Sequence, residues 1–342
     1  MFPSLQNNLP PIHLLFGRLS RMFLLPPTGR PQLDTPGGNL LYAAAGLALW
    51  DSRIGIVARV GEDYPRAWLE QFQARALDTQ GVRILPKALD LREFLAFTDI
   101  RTRHTDNPVA HFARRELPFP KVLFGYRDAA SQLNRPTQLT ETSLRQSDIP
   151  ADYMLATGAH FCPLDFVSHS LLPAVLRQSG FTTLTLDPGR GYMDPIFFDQ
   201  VPSIVTGLTA FMPSEEKVRA LFRGRSEDLW EMAEALAAYG CEMIVIKRAV
   251  QGQFLYDAET KTRWEIPAYP SREADPTGAG DAFCGGFLAG YRRTHNALDA
   301  ALFGNVSASL AIEGSGPFYA LDALPGLAEA RLEVLRQSVR KI

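Results

Sequence analysis

The residues best suited to chemistry lie in one run, DPTGAGD at positions 275–281. Gly278, Ala279 and Gly280 are small, so their backbone N–H groups are open to an anion where a turn enters a helix. Asp281 then places a carboxylate beside that anion, which is unfavourable unless it accepts a proton from a hydroxyl attacking a phosphate. The run therefore predicts phosphoryl transfer to a hydroxyl group, with Asp281 as the catalytic base.

The run continues as AFCGGFLAGY, which predicts a helix unusually rich in glycine. Each glycine in a helix costs about 1 kcal/mol relative to alanine, so the composition indicates close packing against a neighbour. Taken alone, the run also permits a purely structural interpretation: a tight turn into a buried helix, with Asp281 as a charge at the helix N-terminus.

Short apolar runs and longer amphipathic runs alternate along most of the chain. Strands are predicted at Ile12–Phe16, Ile54–Val60, Tyr153–Thr157, Thr182–Leu186, Ser203–Thr206 and Met243–Lys247. Helices are predicted at Asn39–Trp50, Pro65–Arg75, Phe166–Gln178, Glu215–Phe222, Glu227–Tyr239 and Leu298–Glu313, with Ser214 and Ser226 as helix starts and Gly240 as a helix end. Such alternation predicts an α/β fold, a doubly wound and mostly parallel sheet with helices on both faces and ligands at the carboxyl ends of its strands.

Two segments, at about 18–36 and 92–115, do not fit this alternation. The first is rich in Pro and Gly, and the second alternates apolar and polar residues, with Phe94, Ala96, Thr98 and Ile100 on one parity. We expect a small antiparallel β flap with one solvated face, inserted as a lid within a single domain spanning 1–342. A bare face of this kind could pair with a second copy, so a homodimer through the lid stays open.

Composition narrows the class of protein. Lys plus Arg total 35 and Asp plus Glu total 37, and this near balance gives no electrostatic reason to expect nucleic acid or an anionic membrane as a partner. Three scattered cysteines argue against a disulfide framework, and no apolar stretch reaches membrane-spanning length. We therefore expect a cytoplasmic protein that acts on a small molecule, with the first ten or so residues as a loose leader.

The 14 residues DPTGAGDAFCGGFL at 275–288 resemble the second signature of the PfkB family, which includes ribokinase, fructokinase and adenosine kinase. The resemblance extends over roughly residues 11 to 320. It implies a ribokinase-like fold, ATP and Mg²⁺ as cofactors, and an anion hole for the γ-phosphate formed by Gly278, Ala279 and Gly280, with Asp281 as the base. Asp275 and the Thr277 region resemble the part of the family site that often holds a monovalent cation, such as K⁺.

Other stretches extend the resemblance. PGGN at 36–39, with VGED at 60–63, resembles the N-terminal signature, in which the di-glycine lets substrate approach the backbone closely; this implies substrate binding by Gly37, Gly38 and Asn39. IVIKRAVQG at 244–252 resembles the strand and turn that pass the nucleotide phosphates. The resemblance implies nucleotide binding by Lys247 and Gly252, and also by Thr277. Asn305 stands where the family often lines the adenine pocket, although a residue on a helix surface is an equally open interpretation.

The chain departs from the family at two substrate positions. Met22 stands where the family usually has a substrate-binding Asp, and Tyr42 where it commonly has Asn. The loss of two hydrogen-bonding groups predicts an acceptor other than plain ribose or fructose. An apolar wall of Met22 and Tyr42 suits a ring, as in a nucleoside, while Tyr42 as a simple core residue stays open.

The third departure concerns magnesium. The family's Asn-x-x-Glu reads SEEK here, at 214–217, so that Glu216 or Glu215 is a candidate for the magnesium shell while Lys217 reverses the sign of the charge. Ala249 also replaces a usual Gly. These changes indicate slow turnover or altered magnesium use, and they leave Asp281 and the anion hole untouched.

Three functions are compatible with the sequence. The first is an ATP-dependent phosphotransferase that acts on a sugar or sugar derivative, or in its alternative form a nucleoside kinase. The second is a catalytically weak or non-catalytic metabolite-binding protein on a kinase scaffold. The third, a dinucleotide-dependent enzyme, lacks its G-x-G-x-x-G motif, because the residues after the first strand read FGRL at 16–19.

Overall fold

A computed structural model describes residues 10–128 and 138–341, so most of the predicted leader lies outside the described residues. The strands, in chain order, are β1 His13–Phe16, β2 Ser20–Leu25, β3 Gln32–Gly37, β4 Ile54–Gly61, β5 Leu77–Leu85, β6 Arg92–Phe97, β7 Arg103–His104, β8 Gly158–Phe161, β9 Thr183–Leu186, β10 Ala210–Phe211, β11 Met243–Lys247, β12 Gln253–Asp257, β13 Thr262–Ile266 and β14 Arg340–Lys341. Ten of them form one sheet in the order β14-β13-β12-β11-β10-β9-β8-β1-β4-β5. Pairing is parallel from β5 to β11 and antiparallel from β11 to β14, which confirms the mostly parallel sheet.

Helices cover both faces of this sheet. They are α1 Asn39–Ala48, α2 Arg66–Ala74, α3 Pro108–Arg114, α4 Phe166–Gln178, α5 Val201–Val205, α6 Glu215–Leu221, α7 Leu229–Ala237, α8 Ala279–Thr294, α9 Ala297–Ala311 and α10 Leu327–Arg336. Strand β11 shows the two-sided burial, since Ile244 and Ile246 pack with α7 while Met243 and Val245 pack with α8 and α9. Within the described residues, no helix has both the length and the hydropathy to cross a membrane.

Two predicted strands are wrong. Tyr153–Thr157 begins in a 3₁₀ turn that spans Ala151–Leu155, because the Tyr153 ring is buried and its hydroxyl donates to the Asp78 carbonyl at 2.8 Å; the strand starts only at Gly158. Ser203–Thr206 falls largely in helix α5, which has a proline in its first turn. Both are short apolar runs, which periodicity alone cannot assign to strand or helix.

The predicted helix starts are half right. Ser214 caps α6 by accepting a hydrogen bond from the Lys217 N–H, as expected. Helix α7 is capped by Asp228 instead of Ser226, because the Asp228 carboxylate accepts from two backbone N–H groups of the first turn. Gly240 follows the end of α7 with a φ of +92° and confirms the predicted stop.

The lid is a four-stranded sheet in the order β3-β2-β6-β7. Its outer pairings are antiparallel as predicted, whereas β2 and β6 run parallel, because the chain passes through β4, α2 and β5 of the main sheet between them. Thr98 lies beyond the end of β6, where its N–H bonds the Thr102 carbonyl across a turn that also contains Ile100.

The expectation of one solvated lid face is wrong. On the outer face, Phe94 and Ala96 of β6 pack with Phe112 of α3 and with Leu123. The inner face is also apolar and buried, through Met22, Leu24, Leu95 and Phe97. Both faces of the lid sheet are therefore covered by other parts of the same chain. The expected homodimer depended on a bare lid face, so that reason for it no longer holds.

Candidate active site

The predicted anion hole lies where the loop after β13 enters α8. Gly278 has a φ of +74°, and a Cβ there would overlap the Tyr42 ring, so only glycine fits this turn. Gly280 and Asp281 lie in the first turn of α8, where backbone N–H groups have no acceptor within the helix. The turn thus offers hydrogen-bond donors and the positive end of a helix to an anion.

Asp281 lies at the mouth of this hole. Burial raises the pKa of its carboxyl to about 7, and the charge of Asp187 adds to the rise, while Lys247 and Lys217 oppose it. A carboxylate with a pKa near neutrality can accept a proton at physiological pH and release it afterwards. This placement gives Asp281 the electrostatics of a general base.

A cluster of charges stands beside the anion hole. Asp187, immediately after β9, accepts from Lys217 Nζ and from Lys247 Nζ, each at 2.6 Å. Lys247 Nζ also lies 3.4 Å from the Gly280 carbonyl oxygen, next to the hole. Burial would lower the pKa of Lys247, but Asp187 reverses the effect and raises it, so the cluster keeps one net positive charge beside the predicted phosphate.

Sequence reasoning missed Asp187, although a signal was present. It is the first residue after a short buried strand, at the carboxyl end where parallel sheets bind ligands. Burial would raise the pKa of Asp187, yet the two ammonium groups hold it below its usual value. Lys217, expected only to disturb a magnesium site, is one of these two groups.

The candidates for the magnesium shell lie elsewhere. Glu216 is on the surface and pairs with Arg190 at 2.6 Å, and Glu215 pairs with Arg219 and Arg248. The carboxylate of Asp187, which lies near the hole, is held by two lysines. These residues therefore do not form a carboxylate shell for Mg²⁺.

The predicted monovalent-cation region contains two buried oxygens without partners among the described residues. Asp275 is 1% exposed; its Oδ1 accepts from the Thr277 N–H at 3.0 Å, while its Oδ2 receives no hydrogen bond. The Thr277 hydroxyl is likewise buried and unpaired. A buried carboxylate oxygen beside a hydroxyl suits a hard cation with oxygen ligands, so these residues fit K⁺.

Asn305 and Gly252 position the loop that leads to the anion hole. Asn305 is buried, its Oδ1 accepts from the Tyr269 N–H at 2.9 Å, and its Nδ2 donates to the Pro267 carbonyl at 2.7 Å. Its amide is thus already used by the backbone, and it is not a helix-surface residue. Gly252 approaches the same loop closely at Ile266.

Met22 and Tyr42, predicted to form an apolar wall, lie against each other, and the Tyr42 ring lies against Gly278. Both are buried, and the Tyr42 hydroxyl lies 3.8 Å from Met22 Sδ. Burial raises the pKa of Tyr42 well above its usual value, and nearby carboxylates, including Asp281, add to the rise. The contact between the lid and the anion-hole turn therefore consists of the thioether of Met22 and the neutral phenol of Tyr42.

The di-glycine connects the lid to α1. Gly37 lies against the side chain of Met22, and Gly38, at a φ of +101°, begins α1 so close to the Arg18 carbonyl that a Cβ would overlap it. Asn39 accepts from the Arg18 N–H and donates to the Pro163 carbonyl, both at 2.8 Å. Its amide therefore ties two loops together and is not free for substrate.

One further carboxylate near the site was also missed. Glu93 of β6 accepts a hydrogen bond from the Ser20 hydroxyl at 2.6 Å, on the lid face that carries Met22. The available signal was a glutamate directly before the four apolar residues of the strand.

Comparison with known proteins gives concordant matches. Residues 144–323 match the family model described as pfkB family carbohydrate kinase. A cytidine kinase from Thermococcus kodakarensis is 29% identical over 283 residues, covering 82% of this chain and 88% of that protein.

Solved structures share the fold. A putative ribokinase II from E. coli in complex with ATP and Mg²⁺ has a TM-score of 0.64 at 18% identity, with 96% of this chain and 99% of that chain covered. A fructokinase double mutant from Vibrio cholerae O395, bound to fructose, ADP and potassium, has a TM-score of 0.66 at 18% identity, with coverages of 95% and 99%. The α/β sheet with a lid is therefore the ribokinase-like fold.

Proposed function

Because the chain belongs to the pfkB family of carbohydrate kinases, we propose that it transfers the γ-phosphate of ATP to a hydroxyl group of a sugar or nucleoside. The observation that carries the proposal is the position of Asp281, with a pKa of about 7, in the helix turn where the Gly280 N–H has no acceptor within the helix. A binding protein has little use for a base at an anion hole. The position therefore favours a kinase over a non-catalytic scaffold.

The roles follow from the geometry. Asp281 accepts the proton of the attacking hydroxyl, and the N–H groups of Gly278 and Gly280 bind the equatorial oxygens of the transferred phosphoryl group. The Ala279 N–H, also predicted for the anion hole, donates to the Pro276 carbonyl at 3.3 Å and would have to leave it to join them. Lys247 adds positive charge where those oxygens lie. The lid covers the acceptor and excludes water, so that ATP is not hydrolysed.

A nucleoside is the favoured acceptor. The buried wall of Met22 and Tyr42 offers a ring an apolar surface in place of hydrogen bonds. The cytidine kinase relative supports the same class. A plain sugar remains the second candidate, because the family name and the structural neighbours include sugar kinases.

The two metal ions differ in how the protein would hold them. Mg²⁺ would neutralise phosphate charge when bound with ATP, but Asp187, Glu215 and Glu216 are all ion-paired, so we assign no side chain to it. K⁺ would be bound by Asp275 Oδ2 and the Thr277 hydroxyl beside the anion hole. We place the activity in the cytoplasm, where ATP is available and the free cysteines 162, 241 and 284 stay reduced.

The proposal is tested by measuring ADP release from MgATP with a panel of sugars and nucleosides, with and without potassium. We expect turnover with a nucleoside to exceed that with ribose or fructose, and potassium to raise the rate. ATP binding without turnover across the whole panel would instead support a non-catalytic binding protein.

The pH dependence of kcat/KM gives a second test. Because the pKa of Asp281 in the free protein is about 7, we expect kcat/KM to fall about tenfold for each pH unit below 7, as the base becomes protonated. Initial rates between pH 5.5 and 8.5 would check this prediction, and a flat profile would contradict it.

The same carboxyl group affects stability. The folded state binds its proton more tightly than the unfolded chain does, so this group makes the free energy of unfolding decrease as pH rises from about 4 to about 7.

A further inference from the structure

The inner face of the lid carries a carboxylate without an assigned role, Glu93. Side chains alternate between the two faces of a strand, so Glu93 shares its face with Leu95 and Phe97. This is the face that Met22 presents to Tyr42 of the main domain. Glu93 therefore points toward the acceptor side of the site and away from helix α3.

The register of the lid places Glu93 directly opposite Met22. In the parallel pairing of β2 and β6, Met22 and Glu93 are Cα partners, and paired residues of neighbouring strands lie about 5 Å apart on the same face. Met22 occupies the position at which an Asp would bind substrate hydroxyls, as the resemblance to the family implies. The carboxylate missing from β2 is thus present one strand away.

Within the described part of the chain, the charge of Glu93 has no cationic partner. Its Oε2 accepts from the Ser20 hydroxyl, and its Oε1 receives no hydrogen bond from the described residues. The charge helps to raise the pKa of both Tyr42 and Asp281, so it acts on the space that these two groups enclose. A half-buried carboxylate in such a place is costly unless a ligand donates hydrogen bonds to it.

We propose that Glu93 binds two adjacent hydroxyl groups on the sugar ring of the acceptor, and so supplies from β6 the carboxylate that Met22 does not supply from β2. The inference rests on the proposed kinase function. A carboxylate only accepts hydrogen bonds, and its two oxygens match two neighbouring hydroxyls. The lid face that carries Glu93 and Met22 meets Tyr42, whose ring lies against Gly278 of the anion-hole turn, so Glu93 faces the site that contains Asp281.

The first experiment compares wild type with Glu93→Gln, using cytidine against 2′,3′-dideoxycytidine and ribose against 2-deoxyribose. We expect wild type to prefer the hydroxylated acceptor over the deoxy analogue. Glu93→Gln should raise the KM for the hydroxylated acceptor at least tenfold, while the KM for ATP stays within twofold. The preference over the deoxy analogue should fall by the same factor. Glu116→Gln, the same change at an exposed position of the lid, should alter neither value.

The second experiment moves the carboxylate back to β2. Glu93→Met should lose the acceptor preference, and Met22→Asp in the Glu93→Met background should restore at least part of it. A structural role for Glu93 in holding Ser20 predicts no such rescue. Melting temperatures of each variant separate loss of binding from loss of folding.

The outcomes are distinguishable. If wild type transfers phosphate and Glu93→Gln shows the same rate and the same preference for the hydroxylated acceptor, the role of Glu93 is overturned but the kinase proposal is not. Absence of transfer by wild type to every acceptor would overturn the kinase proposal and the acceptor site with it.

Discussion

Replacing Asp281 with Asn is expected to lower kcat by about a thousandfold or more, while the affinity for ATP stays within a few-fold. The carboxamide keeps the size of the side chain but cannot accept the proton of the attacking hydroxyl. The substitution leaves in place the backbone N–H groups and Lys247 that we propose as the anion hole. The loss should therefore appear in the chemical step and not in nucleotide binding.

Asp299 offers a matched control. It stands in the first turn of α9, as Asp281 does in α8, but it pairs with Arg336 away from the site. Asp299→Asn should leave kcat unchanged. ADP-release rates and calorimetric titration with ATP would measure both variants, and an Asp281→Asn enzyme of wild-type rate would refute the assignment of the base.

Replacing Asp187 with Asn is expected to lower the free energy of unfolding by about 3 kcal/mol. Asp187 is 4% exposed in its side chain, and its substitution removes the one carboxylate to which the ammonium groups of both Lys217 and Lys247 donate. Adding Lys217→Met to Asp187→Asn should recover part of the loss, since it removes one of the two stranded charges.

Urea denaturation of the single and double variants would measure this effect. Glu216→Gln breaks a surface ion pair with Arg190 and should leave stability nearly unchanged, because exposed pairs contribute little. An Asp187→Asn variant as stable as wild type would show that the two lysines do not depend on this carboxylate.

The proposed centre of the site could be located from sequence because its residues are neighbours in the chain. The turn at 275–281 contains the proposed anion hole and the proposed base within seven consecutive residues. The pKa of Asp281 could not be predicted in this way, because it also depends on the distant residues Asp187 and Lys247. Strands with a run of apolar residues and helices with clear caps, such as Met243–Lys247 and the helix that starts after Ser214, were predictable because their signals are also local. The short apolar run at Tyr153 was not, because a tertiary hydrogen bond decides its structure.

Roles that depend on distant contacts could not be predicted. Asp187 acquires its function from lysines 30 and 60 residues later in the chain. Asn39 and Asn305 have the residue type of ligand-binding groups, yet the fold uses both amides to hold backbone loops. Glu93 matters only through the parallel register of β2 and β6, which is set by a long excursion of the chain through the main sheet.

The most direct test of the central claim is to follow the label from ATP that carries ³²P in its γ-phosphate, with wild type and Asp281→Asn, in the presence of cytidine or ribose. We predict that wild type transfers the label to the organic acceptor, with little released as inorganic phosphate, and that Asp281→Asn transfers at least a thousandfold more slowly. Label that appears only as inorganic phosphate, or equal transfer by both proteins, would contradict a kinase with Asp281 as its base.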